Sequence, residues 1–232
     1  MMVGDNMDIR YTRNIGTITE AEQQILAGKA VCVIGCGGLG GGVIENLTRM
    51  GIGRLTVVDC DVFDETNLNR QVLSNQDNLG HAKAIEARLQ MKLINDNVEI
   101  FSVQAELGED NAADIIRGHD IVMDALDSVP ARLILEDACT AENIPLVHGA
   151  IDGWNGEVAV VMPGSLLLHE IYGGWEEPGE GEPRGSNPSF TPAVVSAIEA
   201  AEAIKVLLGK ECLAGKLLTI DLLNHEYEVI DF

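Results

Sequence analysis

The first half of the chain alternates short apolar runs with amphipathic segments whose apolar residues repeat about every 3.6 positions. Short apolar runs are typical of buried strands, and the longer periodic segments are typical of helices. Strands that alternate with helices imply right-handed crossovers and a parallel sheet covered on both faces. Strands are predicted at Val31–Ile34, Leu55–Val58, Val98–Val103, Asp120–Met123 and Pro145–Val147. Helices are predicted at Glu20–Ala27, Gly38–Met50, His81–Ile94, Ala112–Arg117 and Pro130–Ala141.

This alternation stops after Gly149. A strand is predicted at Glu157–Met162, and the segment from Pro163 to Pro192 is rich in Gly, Pro and Glu. A compact domain seldom contains so long an irregular stretch without a functional reason. We therefore expect residues 163–190 to form a mobile crossover loop.

A strongly amphipathic helix follows at Pro192–Leu208 and ends at Gly209. The last two predicted strands, Leu217–Ile220 and Glu226–Ile230, flank a stretch that can turn, so a terminal hairpin should extend the sheet antiparallel. The predicted core-facing stripe of the helix consists of Val194, Ala197, Ile198, Ala201, Ile204 and Leu208.

The composition is strongly acidic. With 37 acidic and 15 basic residues the formal net charge is -22, so the overall field repels nucleic acids and anionic membranes, and neither is expected as a partner. The sequence has no apolar run of about 18 residues and no basic, apolar leader, so it predicts neither a membrane span nor a secretory signal. We expect a cytoplasmic protein.

The cysteines favour a reducing environment. Their number is odd and no C-x-x-C occurs, which argues against a disulfide framework and against a zinc knuckle. We expect reduced and mostly buried thiols. The five are Cys32, Cys36, Cys60, Cys139 and Cys212.

Three glycines, Gly35, Gly37 and Gly40, end the first strand and open the following helix. The spacing G-x-G-x-x-G is typical of a turn whose backbone N–H groups approach a phosphate at a helix N-terminus. Asp59 ends the second strand, where a carboxylate can accept hydrogen bonds from a ribose. The pattern predicts a nucleotide pocket, but a dinucleotide and a nucleoside triphosphate both fit it.

Basic side chains downstream of the turn favour a triphosphate. Arg70 and Lys83 lie between the second strand and the next helix, at the sheet edge where ligands bind in open α/β folds. A dinucleotide needs little positive charge beyond the turn, whereas a triphosphate requires Arg or Lys at its outer phosphates. The two cations fit the second case.

Two carboxylates, Asp124 and Asp127, end the fourth strand and are expected over this same edge. Beside a triphosphate such acids can hold Mg²⁺, which neutralises charge on the leaving pyrophosphate. The alternative is a role limited to helix capping. Ser128 is also placed to cap the helix that follows.

The predicted fold is α/β: a doubly wound, Rossmann-like, mainly parallel sheet with an antiparallel C-terminal extension and a long crossover loop. The 232 residues are enough for one domain with a sizeable core. We expect an N-terminal arm and helix at 1–28, a nucleotide-binding half at 29–150, and the loop, last helix and final strands at 151–232.

The polar arm and the histidines are less specific. Arg10-Tyr-Thr-Arg13 precedes Thr19, which is placed to cap the first helix, and its arginines are either a solvated arm or part of a binding site. The histidines are scattered, and we expect a structural or surface role for each. His148, at the end of the fifth strand, is the one that could line a substrate channel.

These motifs together resemble the ThiF/MoeB/HesA family of E1-like (ubiquitin-activating-type) adenylyltransferases. The resemblance spans nearly all of the chain, from Arg10 to the final hairpin. Its most specific part is Thr66-Asn-Leu-Asn-Arg-Gln71 between Asp59 and Lys83, a combination that dehydrogenases do not show. The other shared motifs are Arg10-Tyr-x-Arg13, G-x-G-G-x-G at 35–40, Gly80-x-x-Lys83 and Asp124-x-x-Asp127.

The resemblance implies an ATP site with Mg²⁺. Asp59 would hold the ribose, Asp127 would position Mg²⁺, and Arg13 would act in trans on the ATP of the partner in a homodimer. Arg70 and Lys83 complete the implied catalytic set. The implied nucleotide-binding residues are Gly35, Gly37, Gly38, Gly40, Asp59, Asp61, Asn67, Arg70, Gln71, Lys83, Asp127 and Ser128.

The implied reaction is attack of a carboxylate on the α-phosphorus of ATP, giving an acyl-adenylate and pyrophosphate. In most relatives the substrate is the C-terminal Gly-Gly carboxylate of a ubiquitin-like sulfur-carrier protein of the ThiS or MoaD type. Because that carboxylate is already ionised, the reaction needs fixed cations and amide donors more than a general base. Two alternatives stay open: adenylation of a small-molecule carboxylate or a tRNA base, and a non-catalytic nucleotide-binding scaffold.

The chain departs from the family pattern in two places. Most sulfur-carrier-activating relatives hold zinc through two C-x-x-C pairs, but here the first position reads Ser165-Leu-Leu-Leu-His-Glu-Ile-Tyr172 and the second has no cysteine, so we expect no zinc. Some relatives carry a cysteine in the crossover loop that forms a thioester or persulfide. This chain has Ser186 and Ser189 there, so adenylation without a thioester step on that loop is expected.

Overall fold

The computed structural model describes residues 8–174 and 186–232. Short 3₁₀ turns lie at Ile9–Tyr11 and Glu65–Asn67. The strands are β1 Ala30–Ile34, β2 Arg54–Val58, β3 Glu99–Val103, β4 Ile121–Asp124, β5 Leu146–Asp152, β6 Asn155–Val161, β7 Lys216–Asp221 and β8 Glu226–Asp231. The α-helices are α1 Glu20–Leu26, α2 Gly38–Met50, α3 Lys83–Ile94, α4 Ala112–Ile116, α5 Val129–Ala141, α6 Leu167–Tyr172 and α7 Phe190–Leu207.

The strands form one sheet in the order β3-β2-β1-β4-β5-β6-β7-β8. Strands β1 to β5 are parallel, and β5 to β8 pair antiparallel in chain order. The order reverses between β1 and β4, which is the switch point where ligands bind in open α/β sheets. The predicted α/β class, with a mainly parallel sheet and an antiparallel C-terminal extension, is confirmed.

Helices cover both faces of the sheet because alternate strand residues point to opposite sides. Val33 of β1 packs into the core that contains Leu47 of α2 and Val195 of α7. Ile34 packs into the opposite core, which contains Leu135 of α5. Since every residue of β1 is buried, each apolar side chain there contributes about 1.5–3 kcal/mol to folding.

The N-terminal arm is anchored at the amino ends of the strands. The Tyr11 ring packs on Gly51, where an added Cβ would lie 2.5 Å from the tyrosine hydroxyl oxygen. That hydroxyl accepts a hydrogen bond from Asn95 Nδ2 at 2.7 Å. Gly51 follows α2 and Asn95 follows α3, so both lie opposite the carboxyl edge. Thr19 caps α1 through a capping box with Glu22, as predicted.

The segment 163–190 contains regular structure that the sequence analysis did not predict. Helix α6 forms because Leu167 and Leu168 are buried in the core beside α5. The Glu136 carboxylate of α5 accepts the N–H of Leu168 at 2.7 Å and that of His169 at 3.0 Å, so it caps α6. The prediction of an irregular loop is wrong for this part. Residues 175–185 of the predicted crossover loop lie outside the described residues.

Two further element boundaries differ from the predictions. Strand β5 continues past its predicted end at Val147 to Asp152, because a tight hairpin leads directly into β6 and antiparallel pairing holds these residues in the strand. Helix α3 begins at Lys83 and not at His81. Because Gly80, with φ of +82°, and the following residues form a turn, the chain becomes helical only at Lys83.

Helix α7 buries a different face from the predicted one. Ala197 and Ala201 of the predicted stripe are exposed, whereas Glu199 and Glu202 are buried. The helix packs against α2 on one side and against β5 and β6 on another, so these neighbours select the buried face. Glu202 is stabilised there by the Leu213 N–H at 2.8 Å and by Lys205.

Glu199 occupies space that the strand β5 leaves open. An added Cβ on Gly149 would lie 2.3 Å from the Glu199 carboxyl carbon. Neither carboxyl oxygen has a hydrogen-bond partner among the described residues. Burial, followed by the negative charge of Asp124, raises the pKa of Glu199 well above its usual value. The folded protein therefore holds this side chain as a neutral acid.

Within the two described ranges, none of the helices is both long and apolar enough to pass through a membrane.

The wild-type protein should lose stability as pH rises because of Glu199, and we expect Glu199→Gln to remove this loss. Glu199 is neutral when folded but ionises in the unfolded chain above its usual pKa, so the folded state holds one extra proton between the two pKa values. The free energy of unfolding should then fall as pH rises in this window, by about 1.4 kcal/mol per pH unit from this group alone. Urea unfolding of wild type and variant between about pH 5 and pH 7 measures the difference, and parallel pH profiles would contradict the assignment.

Candidate functional site

The predicted site residues come from the carboxyl ends of three adjacent strands. The glycine turn follows β1, Asp59 follows β2, and Asp127 follows β4, in a sheet where β1 lies between β2 and β4. Lys83 begins α3, and Arg70 lies in the connection from β2 to α3. The topology therefore brings glycine, carboxylate and cationic groups to one edge.

The glycine turn is shaped by very close backbone packing. Gly35 has φ of +99°, and an added Cβ would lie 2.5 Å from the Ala125 carbonyl oxygen. An added Cβ on Gly40 would lie 1.8 Å from the Gly35 carbonyl oxygen. Gly37 occupies the N-cap position of α2 without a side-chain cap, so the first amides of that helix remain available to an anion.

Asp59 connects this turn to the next loop. Its carboxylate accepts the N–H of Cys36 at 2.7 Å and the N–H of Asp61 at 2.8 Å. The side chain is half-buried and remains at the edge where a ribose would lie. Asp59 therefore supports the turn whether or not it also holds a nucleotide.

Arg70, Gln71 and Gly38 line a cleft of about 640 Å³ together with Ser189 and Phe190 at the start of α7. The Gln71 side chain lies beside Gly37, with 3.6 Å between its Nε2 and an added glycine Cβ. Its Oε1 is buried without a partner among the described residues. An open cradle with an unsatisfied amide is compatible with a polar ligand in this cleft.

Two more residues of this connection that are predicted to contact phosphate, Arg70 and Asn67, already have protein partners. Arg70 Nη1 donates to Thr66 O at 3.1 Å and to Asn69 Oδ1 at 2.9 Å. Asn67 is buried, and its Oδ1 accepts the N–H of Asp64 at 3.1 Å in a capping box. The structure therefore assigns Asn67 a part in shaping the turn, and its predicted phosphate contact stays a prediction.

Lys83 and Asp61 form an ion pair at the site. Lys83 Nζ lies 2.8 Å from Asp61 Oδ2, and the lysine is only 7% exposed. The hydrogen bond from Lys83 lowers the pKa of Asp61. The ion pair fixes a cation close to the start of α3, where it can contribute to binding an anionic ligand.

Asp127 and Ser128 are both exposed at the end of the connection from β4 to α5. No hydrogen bond or ion pair within residues 8–174 and 186–232 uses the Asp127 carboxylate. Carboxylate oxygens suit Mg²⁺, so Asp127 fits the predicted metal role. Ser128 precedes α5 but makes no side-chain cap, so its predicted capping role is wrong.

The prediction that Asp124 lies over this edge is also wrong. Its side chain is fully buried and Oδ2 lies 2.7 Å from His148 Nδ1. His148 is likewise fully buried, so it does not line an open channel. The reason is strand alternation, because Asp124 and His148 are directly paired in β4 and β5 and point to the same α5-covered face.

The sequence analysis missed the buried polar cluster around this pair. It joins Asp124 and His148 to Arg132, Glu157 and Tyr172. Burial lowers the pKa of His148, but the hydrogen bonds to Asp124 and Glu157 outweigh it and the pKa is raised. The only sign of this cluster in the sequence was the presence of single polar residues in apolar strands. Which of these residues come into contact depends on the pairing of strands that are distant in sequence.

The thiols near the site are poorly suited to nucleophilic chemistry. Burial, followed by the charge of Asp59, raises the pKa of Cys36. Burial, followed by the charge of Asp61, raises the pKa of Cys60. Both therefore remain protonated near neutral pH. Ligand atoms of Asp59, Cys60 and Asp61 lie within 4.8 Å of one another, but the Asp59 and Asp61 carboxylates already accept the protein hydrogen bonds described above.

Arg13 lies apart from these groups in its own subunit. It is exposed and follows Tyr11, which is anchored on Gly51 and Asn95 at the amino ends of the strands. A five-residue strand such as β2 separates the two edges by about 16 Å. Arg13 is therefore not brought together with Arg70 or Lys83 within one chain.

Comparisons with other proteins identify the family of this chain. A model of the ThiF family matches residues 11–232. The chain is 35% identical over 228 residues to the SAMP-activating enzyme E1 of Haloferax volcanii, covering 96% of this chain and 84% of that protein. It is 37% identical over 219 residues to the sulfur carrier protein adenylyltransferase of Thermus thermophilus, covering 88% and 79%. It is also 36% identical over 200 residues to the adenylyltransferase and sulfurtransferase MOCS3 of Drosophila sechellia, covering 84% of this chain but only 44% of that protein.

Solved structures show the same fold at lower identity. E. coli MccB with ATP has a TM-score of 0.84 and 20% identity, covering 99% of this chain and 73% of that chain. PaaA has a TM-score of 0.82 and 18% identity, covering 99% and 86%. At this identity the likeness concerns the fold alone. The family match across residues 11–232, with relatives above 30% identity that align over nearly the whole chain, shows that the chain belongs to the ThiF family.

Proposed function

We propose that the chain is an ATP-dependent adenylyltransferase that activates the C-terminal carboxylate of a ubiquitin-like sulfur-carrier protein. One observation supports this most: the N-terminus of α2, the cations Arg70 and Lys83, and the exposed carboxylate of Asp127 share one sheet edge. A triphosphate and a carboxylate repel each other, so bringing them together requires cations and amide donors that are already in place.

The proposed reaction forms one bond and breaks one bond at phosphorus. A carboxylate oxygen of the substrate attacks the α-phosphorus of ATP, and the bond from this phosphorus to the oxygen of the β-phosphate breaks. The products are an acyl-adenylate and pyrophosphate. No proton has to be removed from the ionised nucleophile, so this reaction does not require a general base.

The residues at this edge have different proposed roles. We assign Gly35, Gly37, Gly38 and Gly40 to the turn that receives the phosphates, and Asp59 to the ribose. Arg70, Gln71 and Lys83 would contact the phosphates, with Asn67, Asp61 and Ser128 beside them. Asp127 would bind Mg²⁺, which supplies charge neutralisation on the leaving pyrophosphate.

The proposed substrate follows from the relatives. Their names are SAMP-activating enzyme E1 and sulfur carrier protein adenylyltransferase. We infer that the substrate of this chain is likewise a small carrier with a Gly-Gly end. Two glycines offer no side chains, so the tail of such a carrier can lie close to the protein backbone.

We propose a homodimer in which Arg13 of each subunit contacts the ATP of the other. Arg13 lies at the amino edge of its own sheet, whereas Arg70 follows β2 at the carboxyl edge. A two-fold axis gives both subunits the same contact, so a single arrangement completes both sites.

The segment that holds zinc in most relatives is supported differently here. Its helix α6 is capped by Glu136 of α5, and Tyr172 at its end contacts Arg132 at 3.0 Å. We propose that these contacts replace the metal, and that no thioester forms on the loop containing Ser186 and Ser189.

Asp127→Asn should abolish most of the ATP–pyrophosphate exchange supported by a carrier ending in Gly-Gly. We expect a loss on the order of 100-fold, because a group that stabilises charge in the transition state is removed, while ATP binding changes by only a few-fold. Exchange of labelled pyrophosphate and calorimetric ATP binding measure the two effects. Asp231→Asn, which changes an exposed acid of β8 that three strands separate from β4, is the matched control. Full exchange in Asp127→Asn would rule out the assigned role.

The same exchange assay identifies the substrate class. Exchange with Gly-Gly carriers, but with neither small carboxylates nor ATP alone, is expected. Exchange with small carboxylates only would replace the proposed substrate, and no exchange with any of them would favour a nucleotide-binding scaffold.

Mixing Arg13→Ala with Asp127→Ala subunits should restore activity that neither variant has alone. Random pairing of equal amounts makes about half of the dimers mixed, and each mixed dimer has one complete site of two, so about a quarter of wild-type exchange should return. A mixture of Asp127→Ala with Asp127→Asn is the control and should stay inactive. No recovery in the first mixture would remove the claim that Arg13 acts in trans.

Purified protein should contain far less than one zinc per chain, and its melting temperature should not change on treatment with a chelator. The reason is that the first zinc-binding segment of the relatives has no thiolate here. Metal analysis and thermal unfolding provide the measurements, and stoichiometric zinc would overturn the proposal.

A further inference from the structure

We propose that His148 is a positioning residue for Asp127, acting through Asp124 and the Leu126 peptide. The inference rests on the proposed function, because Asp127 is the acid assigned there to Mg²⁺. It adds a buried group that does not touch ATP or the carrier.

Leu126 lies between Asp124 and Asp127, and both its backbone N–H and its carbonyl oxygen are hydrogen-bonded to side chains. Asp124 Oδ1 accepts the N–H of Leu126 at 3.0 Å. The carbonyl oxygen of Leu126 accepts hydrogen bonds from Arg132 Nη2 at 2.7 Å and Nε at 3.3 Å. With both polar groups of Leu126 engaged, the direction of the next residue, Asp127, is determined by Asp124 and Arg132.

His148 in turn determines the orientation of Asp124. Its Nδ1 lies 2.7 Å from Asp124 Oδ2, so the two carboxylate oxygens have different partners, His148 and Leu126. Both side chains are fully buried, and a hydrogen bond in such a low-dielectric environment is stronger than in water. Removing the His148 donor would leave this buried Oδ2 without a hydrogen bond, with Arg132 Nε at 3.8 Å as a charged neighbour, and would weaken the constraint on the Asp124 side chain.

The other ring nitrogen of His148 anchors the pair to α6. Nε2 lies 3.0 Å from the Tyr172 hydroxyl, which itself donates to Glu157. Because the tyrosine proton goes to Glu157, its oxygen accepts from Arg132 Nη1, and it accepts from His148 Nε2 when the imidazole is protonated at both nitrogens. The imidazole is therefore fixed at both nitrogens, and the cluster behaves as one rigid support beneath the Leu126 peptide.

This arrangement argues against a direct chemical role for His148. The ring is fully buried, and both nitrogens are occupied by protein groups. A general acid or base must come within hydrogen-bond distance of the reacting group or a bridging water. Position, and not proton transfer, is the contribution that the contacts support.

Two substitutions separate the contacts of the two ring nitrogens. His148→Asn can keep an amide donor close to the position of Nδ1, toward Asp124, and His148→Gln can keep one close to Nε2, toward Tyr172. We expect His148→Gln to lower kcat of exchange roughly 10–100-fold with ATP affinity within about 3-fold of wild type, and His148→Asn to retain most of kcat. Tyr172→Phe, which removes only the distal contact, should have a smaller effect than His148→Gln.

A second measurement does not depend on activity. Amide hydrogen exchange at Leu126 in the nucleotide-free protein should be faster in His148→Gln than in wild type, and near wild type in His148→Asn. Val122→Ala is the matched control, because Val122 is buried on the same face of β4 as Asp124 but lies nearer its amino end. It should lower the melting temperature while kcat per folded molecule and Leu126 exchange stay unchanged.

The outcomes distinguish the two proposals. If wild type shows no pyrophosphate exchange with any substrate, the proposed function fails. Amide hydrogen exchange at Leu126 then still tests whether His148 holds the Leu126 peptide in place. If wild type is active and His148→Gln matches Val122→Ala in both measurements, His148 is only a structural residue and the inference is overturned. If His148→Gln does not fold, Tyr172→Phe decides: unchanged Leu126 exchange and unchanged kcat would overturn the inference.

Discussion

The proposed chemistry depends on binding anions to a protein whose formal net charge is -22. The long-range field opposes this binding, so attraction must come from groups within a few ångströms, where screening is weak. The N-terminus of α2 supplies amides, and Lys83 is held as a buried cation by its pair with Asp61. The close packing of Gly35 and Gly40 determines where those amides lie. Local geometry therefore outweighs overall charge at this edge.

Acidic residues also occur in the interior, and the four buried carboxyl groups of the described residues are stabilised in different ways. Glu136 caps α6, Glu202 accepts the Leu213 amide, and Asp124 pairs with His148. Glu199 has no partner among the described residues and stays protonated. A buried charge costs several kcal/mol unless it is compensated, so each acid needs a hydrogen-bonded partner or a proton.

The buried cluster and helix α6 are physically connected. Tyr172 ends α6 and contacts both Arg132 and His148, which lie beneath the connection that carries Asp127. Glu136, one turn further along α5 than Arg132, holds the beginning of the same helix. In this chain, side-chain hydrogen bonds thus connect α6 to the residues beneath the connection that carries Asp127. The same hydrogen bonds therefore support both α6 and Asp127.

The sequence by itself determined the strand and helix alternation, the glycine turn, the cations Arg70 and Lys83, and the family. These features depend on local periodicity and on fixed motif spacing, which a linear chain displays directly. The tertiary structure alone decided that Asp124 turns inward to His148, that α7 buries Glu199 while Ala197 and Ala201 stay exposed, and that Arg13 lies at the opposite edge from Arg70. Each of these depends on which distant strands and helices become neighbours, because burial and hydrogen bonding are properties of packed surfaces and not of sequence spacing.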